Sequence, residues 1–170
     1  MRRLRYGVAM SLDGFIAGPR GEFDWIVADS AIDYVSIHRQ FDTLIMGRKT
    51  YEVAKTRRAS MEGSGQRWVV VSGTLRAEEN PDVTILGEDV LQVVAALKAQ
   101  PGKDIWLMGG GVLFRSLLDA GLVDGMDLAV MPVMLGSGTP VLPEGQRQSL
   151  HLEKSKVLPS GILMLSYSSG

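Results

Sequence analysis

Residues Asp104-Ile105-Trp106-Leu107-Met108 run without interruption into Gly109-Gly110-Gly111, and a helical pattern starts at Val112. Three successive residues without Cβ allow main-chain turns that side chains forbid, at a cost in backbone entropy. A short apolar strand ended in this way, followed at once by a helix as far as Ala120, is a βα junction, the repeating unit of α/β folds. The helix points its unpaired N–H groups and the positive end of its dipole at the glycines. That geometry suits a phosphate brought close to the main chain, and it equally makes a tight turn with no ligand. It is not a dinucleotide fingerprint of the G-x-G-x-x-G kind, because Phe114 stands at the third glycine and several strands precede it.

The rest of the chain repeats the alternation of short apolar runs with helical patterns. The pattern predicts strands at Leu4–Met10, Thr43–Met46, Trp68–Val71 and Val83–Leu86, and from about Gly125 to Val133. A closing hairpin, Leu150–Leu158 and Ile162–Tyr167, turns at Pro159-Ser160-Gly161. Ser30 opens a helix through about Phe41, with Asp33 three residues on as a weak capping box and Tyr34, Ile37 and Phe41 at helical spacing. A second helix spans about Glu88–Gln100 and stops at Pro101-Gly102, and the polar segment Lys55–Gln66 is a loop or a frayed helix. No linker, repeat or low-complexity stretch interrupts residues 1–170, so one domain is expected.

Composition narrows the function classes. Cysteine is absent, which removes disulfides, thiolate metal sites and a cysteine nucleophile, and His38 and His151 lie far apart with few acidic or histidine neighbours at ligand spacing, so no metal site is expected. A formal net charge of -1 gives no global field toward nucleic acid or an anionic membrane. No apolar run approaches the roughly 18 residues that a membrane span needs. The basic start Met1-Arg2-Arg3-Leu4-Arg5 is followed by Gly7, Asp13 and Gly14 rather than a signal-peptide core, so a cytoplasmic location is expected. Any anion must therefore be held locally.

Further local groups stand at strand ends, where α/β proteins tend to bind ligands. Gly47-Arg48-Lys49-Thr50 offers two cations and a hydroxyl that can grip a phosphate, or simply a solvated helix start. Asp13 in Ser11-Leu12-Asp13-Gly14 can orient a substrate nitrogen or relay a proton, or belong to an ordinary Asp-Gly turn. Ser72-Gly73-Thr74 can meet a ribose or phosphate, or cap the segment after it. Arg57 and Arg58 read most simply as loop charges, the alternative being contact with a phosphorylated substrate.

In order along the chain, Ser11-Leu12-Asp13-Gly14-Phe15-Ile16-Ala17, Phe23-Asp24-Trp25-Ile26, Leu44-Ile45-Met46-Gly47-Arg48-Lys49-Thr50-Tyr51 and Val70-Val71-Ser72 are followed by Leu107-Met108-Gly109-Gly110-Gly111. Leu117-Leu118-Asp119-Ala120-Gly121-Leu122-Val123-Asp124 and Pro132-Val133-Met134-Leu135-Gly136-Ser137-Gly138 complete the set. This series resembles the dihydrofolate-reductase-like superfamily, and most closely the reductase domain of the bifunctional riboflavin-biosynthesis deaminase/reductase and its single-domain relatives.

The resemblance implies a three-layer α/β/α fold with a central, mostly parallel mixed sheet and a C-terminal antiparallel hairpin. It implies a homodimeric oxidoreductase that takes NADPH as cofactor. Arg48, Lys49 and Thr50, next to Gly47, would hold the adenosine-side phosphates with Ser72 nearby. Gly109, Gly110, Gly111, Val112 and Leu113 would take the pyrophosphate, and Ala9 and Ile16 would flank the nicotinamide. A cis peptide is implied at Gly109-Gly110. Asp13 is the candidate catalytic group, and Asp13, Trp25, Asp29 and Asp33 are the candidates for contact with a small heterocyclic substrate such as 5-amino-6-(5-phosphoribosylamino)uracil.

The chain departs from the pattern in three places. The paired H-x-E and P-C-x-x-C of a zinc deaminase domain is absent, since the chain has no cysteine, Asp124 is followed by Gly125 rather than an acid, and Asp29 and Asp33 lack the Leu-Pro-x-Asp/Glu setting of the folate-binding carboxylate. The alternatives are a dihydrofolate reductase, a non-catalytic NADPH-binding protein of the same fold, and a structural dimerisation module.

Overall fold

The computed structural model describes residues 1–56 and 65–169. In chain order the elements are β1 (Leu4–Ser11), β2 (Phe15–Ala17), α1 (Tyr34–His38), β3 (Phe41–Gly47), α2 (Arg48–Thr56), β4 (Arg67–Val71) and β5 (Thr84–Leu86). They continue with α3 (Val90–Ala99), β6 (Asp104–Leu107), α4 (Gly111–Asp119), β7 (Gly125–Met131), β8 (Thr139–Pro140), β9 (Leu150–Val157) and β10 (Leu163–Ser169).

Period-two alternation in the central strands decides the architecture. Leu44 and Met46 of β3 and Trp68 and Val70 of β4 join one apolar cluster, while Ile45 and Val69 between them join another. Successive side chains point to opposite faces, so strands that are apolar on both sides need cover on both. On one face α2 supplies Tyr51 and Ala54. On the other, α3 supplies Val94 and Leu97, and α4 supplies Phe114 and Leu117. The result is the three-layer arrangement that the resemblance implied.

The sheet order is β5-β4-β3-β6-β1-β7-β10-β9. The first six strands of that order pair in parallel, β10 runs antiparallel to β7, and β9 runs antiparallel to β10. The closing hairpin turns where expected, with Leu158 N donating to Ile162 O at 2.9 Å and Gly161 at φ +86°. From β3 the chain moves through α2 outward to β4; from β6 it moves through α4 past β1 to β7, in the opposite direction. Right-handed crossovers in opposite directions lie on opposite faces, which is how α2 and α4 come to flank the sheet. Tyr6 of β1 fixes α4 in place, stacking on Phe114 at 3.8 Å between ring centroids and donating its hydroxyl to Val141 O at 3.3 Å.

One local expectation is corrected. The helix expected over Ser30–Phe41 is only the single turn of α1, capped by Asp33 rather than Ser30. Gln66 Nε2 donates to His38 O at 2.8 Å and Phe41 O at 3.2 Å, taking carbonyls that a longer helix needs, and Phe41 instead begins β3, buried. The short strands β2 and β8, which pair with each other, were not anticipated; neither is long enough to show alternation. The polar segment after Lys55 begins as the end of α2, and Arg57 and Arg58 lie outside the described residues. Among the described residues no helix is long and apolar enough to cross a membrane.

Candidate active site

Parallel pairing brings the carboxyl ends of β1, β3, β4, β6 and β7 to one edge of the sheet. Between β3 and β6 the outgoing connections diverge to opposite faces. Such a switch point opens a crevice at the strand ends, the usual ligand position in open α/β sheets.

Two sequence-distant motifs meet in this crevice. A Cβ built on Gly110 would lie 3.9 Å from Leu113 Cβ and 4.0 Å from both Gly47 N and Thr50 Oγ1. One built on Gly109 would lie 3.6 Å from Thr50 Oγ1 and 3.7 Å from Val8 Cγ1. The beginnings of α2 and α4 therefore sit side by side, and their unpaired N–H groups and positive dipole ends face the same space. Such a pair of helix ends is a ready anion site. Gly109 and Gly110 have φ of +124° and +90°, which side chains rarely adopt, and the described residues contain no cis peptide bond. The cis peptide expected at Gly109-Gly110 is thus replaced by two positive-φ glycines joined in trans, a turn that avoids the roughly 3 kcal/mol cost of a non-proline cis bond.

The flanking groups differ in how freely they face solvent. Arg48 is exposed and shares its charge with Glu52, four residues on, at 3.0 Å, while Lys49 is exposed with no ion-pair partner among the described residues. Val112 presents an apolar side chain that is 76% exposed at the head of α4, and Leu113 packs back on the core. Gly111 is buried with Pro140 O and Pro143 Cδ each 3.1 Å from its missing Cβ, so its smallness admits the loop after β8. Ser72 is buried and its hydroxyl accepts from Thr74 N at 3.2 Å and Leu75 N at 3.0 Å, shaping the turn after β4.

Toward β1 the crevice becomes less polar. Ala9 packs with Trp25 and Ile32 against the cluster of Met131, Leu158 and Ile162, and Ile16 is half-buried on β2. Trp25 donates Nε1 to Glu22 O at 3.1 Å. The carboxylates proposed for the substrate are committed to the chain itself. Asp29 accepts from Ala31 N at 2.7 Å and Ser160 N at 3.2 Å, and Asp33 from Ser36 N at 2.9 Å and Ser36 Oγ at 2.6 Å. The serine hydroxyls, Ser160 and Ser36 respectively, are the main cause of the depressed pKa of each. Asp13 accepts from Ser11 Oγ, Leu135 N and Gly136 N, and these donors, the Ser11 hydroxyl foremost, lower its pKa to about 2. A carboxyl so depressed is ionised at neutral pH, which makes Asp13 a poor proton donor.

One packing feature beside β1 was missed. Trp106 donates Nε1 to Gly7 O at 3.0 Å, and its indole occupies the place a Gly7 side chain would take. His38 and Phe41 lie against it at 5.1 and 5.2 Å between centroids. The available signal was Gly7 itself, since glycine inside a strand marks a close approach. Gly7→Val is expected to cost about 1–3 kcal/mol through overpacking and to alter the near-ultraviolet dichroism of tryptophan; an unchanged spectrum and melting curve would contradict this packing. Among the described residues no group of His, Asp or Glu could hold a metal ion.

Comparison with known proteins bears on the fold and the family. Residues 2–164 match the family model described as the RibD C-terminal domain. Uncharacterized protein YyaP of Bacillus subtilis is 33% identical, the match covering 98% of this chain and 94% of that protein. A crystal structure from Shewanella sp. PV-4, of a protein provisionally named for riboflavin biosynthesis, superposes with a TM-score of 0.81 at 26% identity over 99% of both chains. Dihydrofolate reductase from Enterococcus faecalis, complexed with NADP(H), shares the fold, with a TM-score of 0.73 at 18% identity over 99% of this chain and 96% of that one. With its strand order, its two converging helix ends and this match along nearly its whole length, the chain belongs to the RibD C-terminal domain family and has the dihydrofolate-reductase fold.

Proposed function

We propose that the protein is an NADPH-dependent reductase that delivers hydride to a C=N or opened-ribose imine carbon of a small heterocycle, of the type 5-amino-6-(5-phosphoribosylamino)uracil. The observation that carries this reading is the meeting of Gly47 and Thr50 with Gly109 and Gly110 at the switch point. The residues fit the cofactor: two helix ends and a Cβ-free cradle for the pyrophosphate, cations for a 2′-phosphate, and a less polar recess for the nicotinamide. NADPH bound there supplies the hydride.

The chain's own work is positional. Thr50 and the amides at the head of α4 hold the pyrophosphate, Arg48 and Lys49 hold the adenosine phosphate, and Ala9 with Ile16 bounds the nicotinamide. The substrate ring is to be held with its electrophilic carbon about 3–3.5 Å from the hydride donor. Because Asp29 and Asp33 are spent on local structure, dihydrofolate reduction is disfavoured, and NADPH oxidation with dihydrofolate is expected to be far slower than with the pyrimidine. NADPH binding without turnover of any heterocycle would favour the non-catalytic alternative.

The cationic pair gives a direct test. Lys49→Gln is expected to weaken NADPH binding about 10-fold, roughly one charge-assisted hydrogen bond, and to leave NADH binding unchanged. Arg48→Gln should do the same to a smaller degree, since Glu52 already shares that charge. Fluorescence titration reads both, and equal weakening of NADH would contradict the assignment of this pair to the 2′-phosphate. The proposed dimer forms through the sheets. In support, β9 is an eight-residue edge strand exposed along its length, with Leu150 and Leu152 apolar, and light scattering at twice the chain mass would bear it out.

A further inference from the structure

The segment from Leu12 to Gly18 is tied to the segment from Val133 to Val141 along its length. Leu12 N donates to Val133 O at 2.8 Å and Val141 N to Gly14 O at 2.9 Å, while Phe15 pairs with Pro140 and Ala17 with Thr139. A side chain on Gly138 would collide with the Ala17 carbonyl. These are main-chain contacts, and Asp13 adds a side-chain clasp at the tip. Its oxygens each accept from Leu135 N at 3.1 Å, and Oδ2 accepts from Gly136 N at 2.7 Å. Ser11, fully buried, donates Oγ to Asp13 Oδ1 at 2.6 Å and accepts from Phe15 N at 2.9 Å, so the clasp is braced from β1.

Asp13 is exposed, and no cation among the described residues pairs with it. Neither burial nor charge balance explains three donors converging on this one carboxylate. Its neighbours in the chain do: Ile16, three residues on, is on the segment that the clasp secures, and Ala9 lies two residues before Ser11.

We propose that Asp13 is a positioning residue whose carboxylate clasps the Leu135-Gly136 main chain and thereby fixes Ile16 at the nicotinamide end of the cofactor. This rests on the NADPH reading given above. A carboxylate held ionised by its donors is suited to gripping amides and unsuited to giving up a proton, consistent with its pKa of about 2. The effect is local to one end of the site: the adenosine end, at Arg48 and Lys49, does not depend on the clasp.

Two ligands separate these ends. NADPH carries both, whereas 2′,5′-ADP carries the 2′-phosphate and no nicotinamide. The test titrates wild type, Asp13→Ala and Asp13→Asn with each, and follows amide exchange over residues 12–17 and 133–138. Asp13→Ala should bind NADPH about 10-fold more weakly, the loss expected for hydrogen bonds to a charged acceptor, and 2′,5′-ADP unchanged, with faster exchange at Leu135 and Gly136. Asp13→Asn should recover part of the NADPH affinity, since its carboxamide oxygen still accepts an N–H. Unchanged NADPH affinity in Asp13→Ala, or equal loss of both ligands, overturns the clasp while the cofactor reading stands. Failure of the wild type to bind either ligand removes the cofactor reading and the proposal with it.

Discussion

Gly110→Val is expected to lower NADPH affinity by about 100-fold in a protein that still folds. The turn at Gly110 has φ +90°, where a β-branched residue is strained by about 1–3 kcal/mol. The new Cβ meets Leu113, Gly47 and Thr50 at ordinary van der Waals distances, 3.9–4.0 Å, so the protein itself can accommodate the first carbon. The branch beyond it occupies the space between the two helix ends. There it excludes a pyrophosphate and removes about two charge-assisted hydrogen bonds, at about 1.5 kcal/mol each, which together correspond to about 100-fold. Titration of NADPH and a melting curve read the two effects separately. Retained affinity at a lowered melting temperature would mean that the glycine serves the turn alone.

The second large effect is on stability. Asp124→Ala is expected to destabilise the fold by about 3 kcal/mol, the low end for removing one partner of a buried ion pair, because Lys98 is buried while the Asp124 side chain is 33% exposed. Lys98 is 3% exposed, and its ammonium lies 2.6 Å from Asp124 Oδ2 and 2.6 Å from Leu122 O. The same carboxylate oxygen accepts from Leu4 N at 2.7 Å, at the start of the central β1. Removing it strands a charge under α3 and frees the first amide of the strand that carries Ala9 and Ser11. With a urea dependence of about 2 kcal/mol per molar, the unfolding midpoint should fall by about 1.5 M. Lys98→Met, which removes the charge and keeps the packing, should cost less. A midpoint in Asp124→Ala equal to wild type would show that the pair is not a stabilising contact.

The parts legible in the sequence are those where one residue type has one reason to be present. The positive-φ glycines before α4, the two-sided apolar runs of β3 and β4, and the turn at Gly161 all announce themselves, because few other residues serve there. The parts that were not legible depend on partners distant in the chain. Whether Tyr34–Phe41 continues as a helix is decided by Gln66, whose amide takes the carbonyls of His38 and Phe41. Asp13, Asp29 and Asp33 look like free acids in sequence, and only their donors at Leu135, Gly136, Ser160 and Ser36 reveal that they are occupied. The packing of Trp106 was hidden for the same reason. Its indole fills a gap left by Gly7, a residue 99 positions away.

The whole reading depends on two helix ends sharing one dinucleotide. A crystal structure with NADPH tests it most directly. Pyrophosphate oxygens are expected within about 3 Å of the amides from Gly110 to Leu113 and of the Thr50 hydroxyl, with the 2′-phosphate beside Lys49 and the nicotinamide between Ala9 and Ile16. A dinucleotide bound elsewhere on the sheet, or a crevice still empty of NADPH at millimolar concentration, would contradict it.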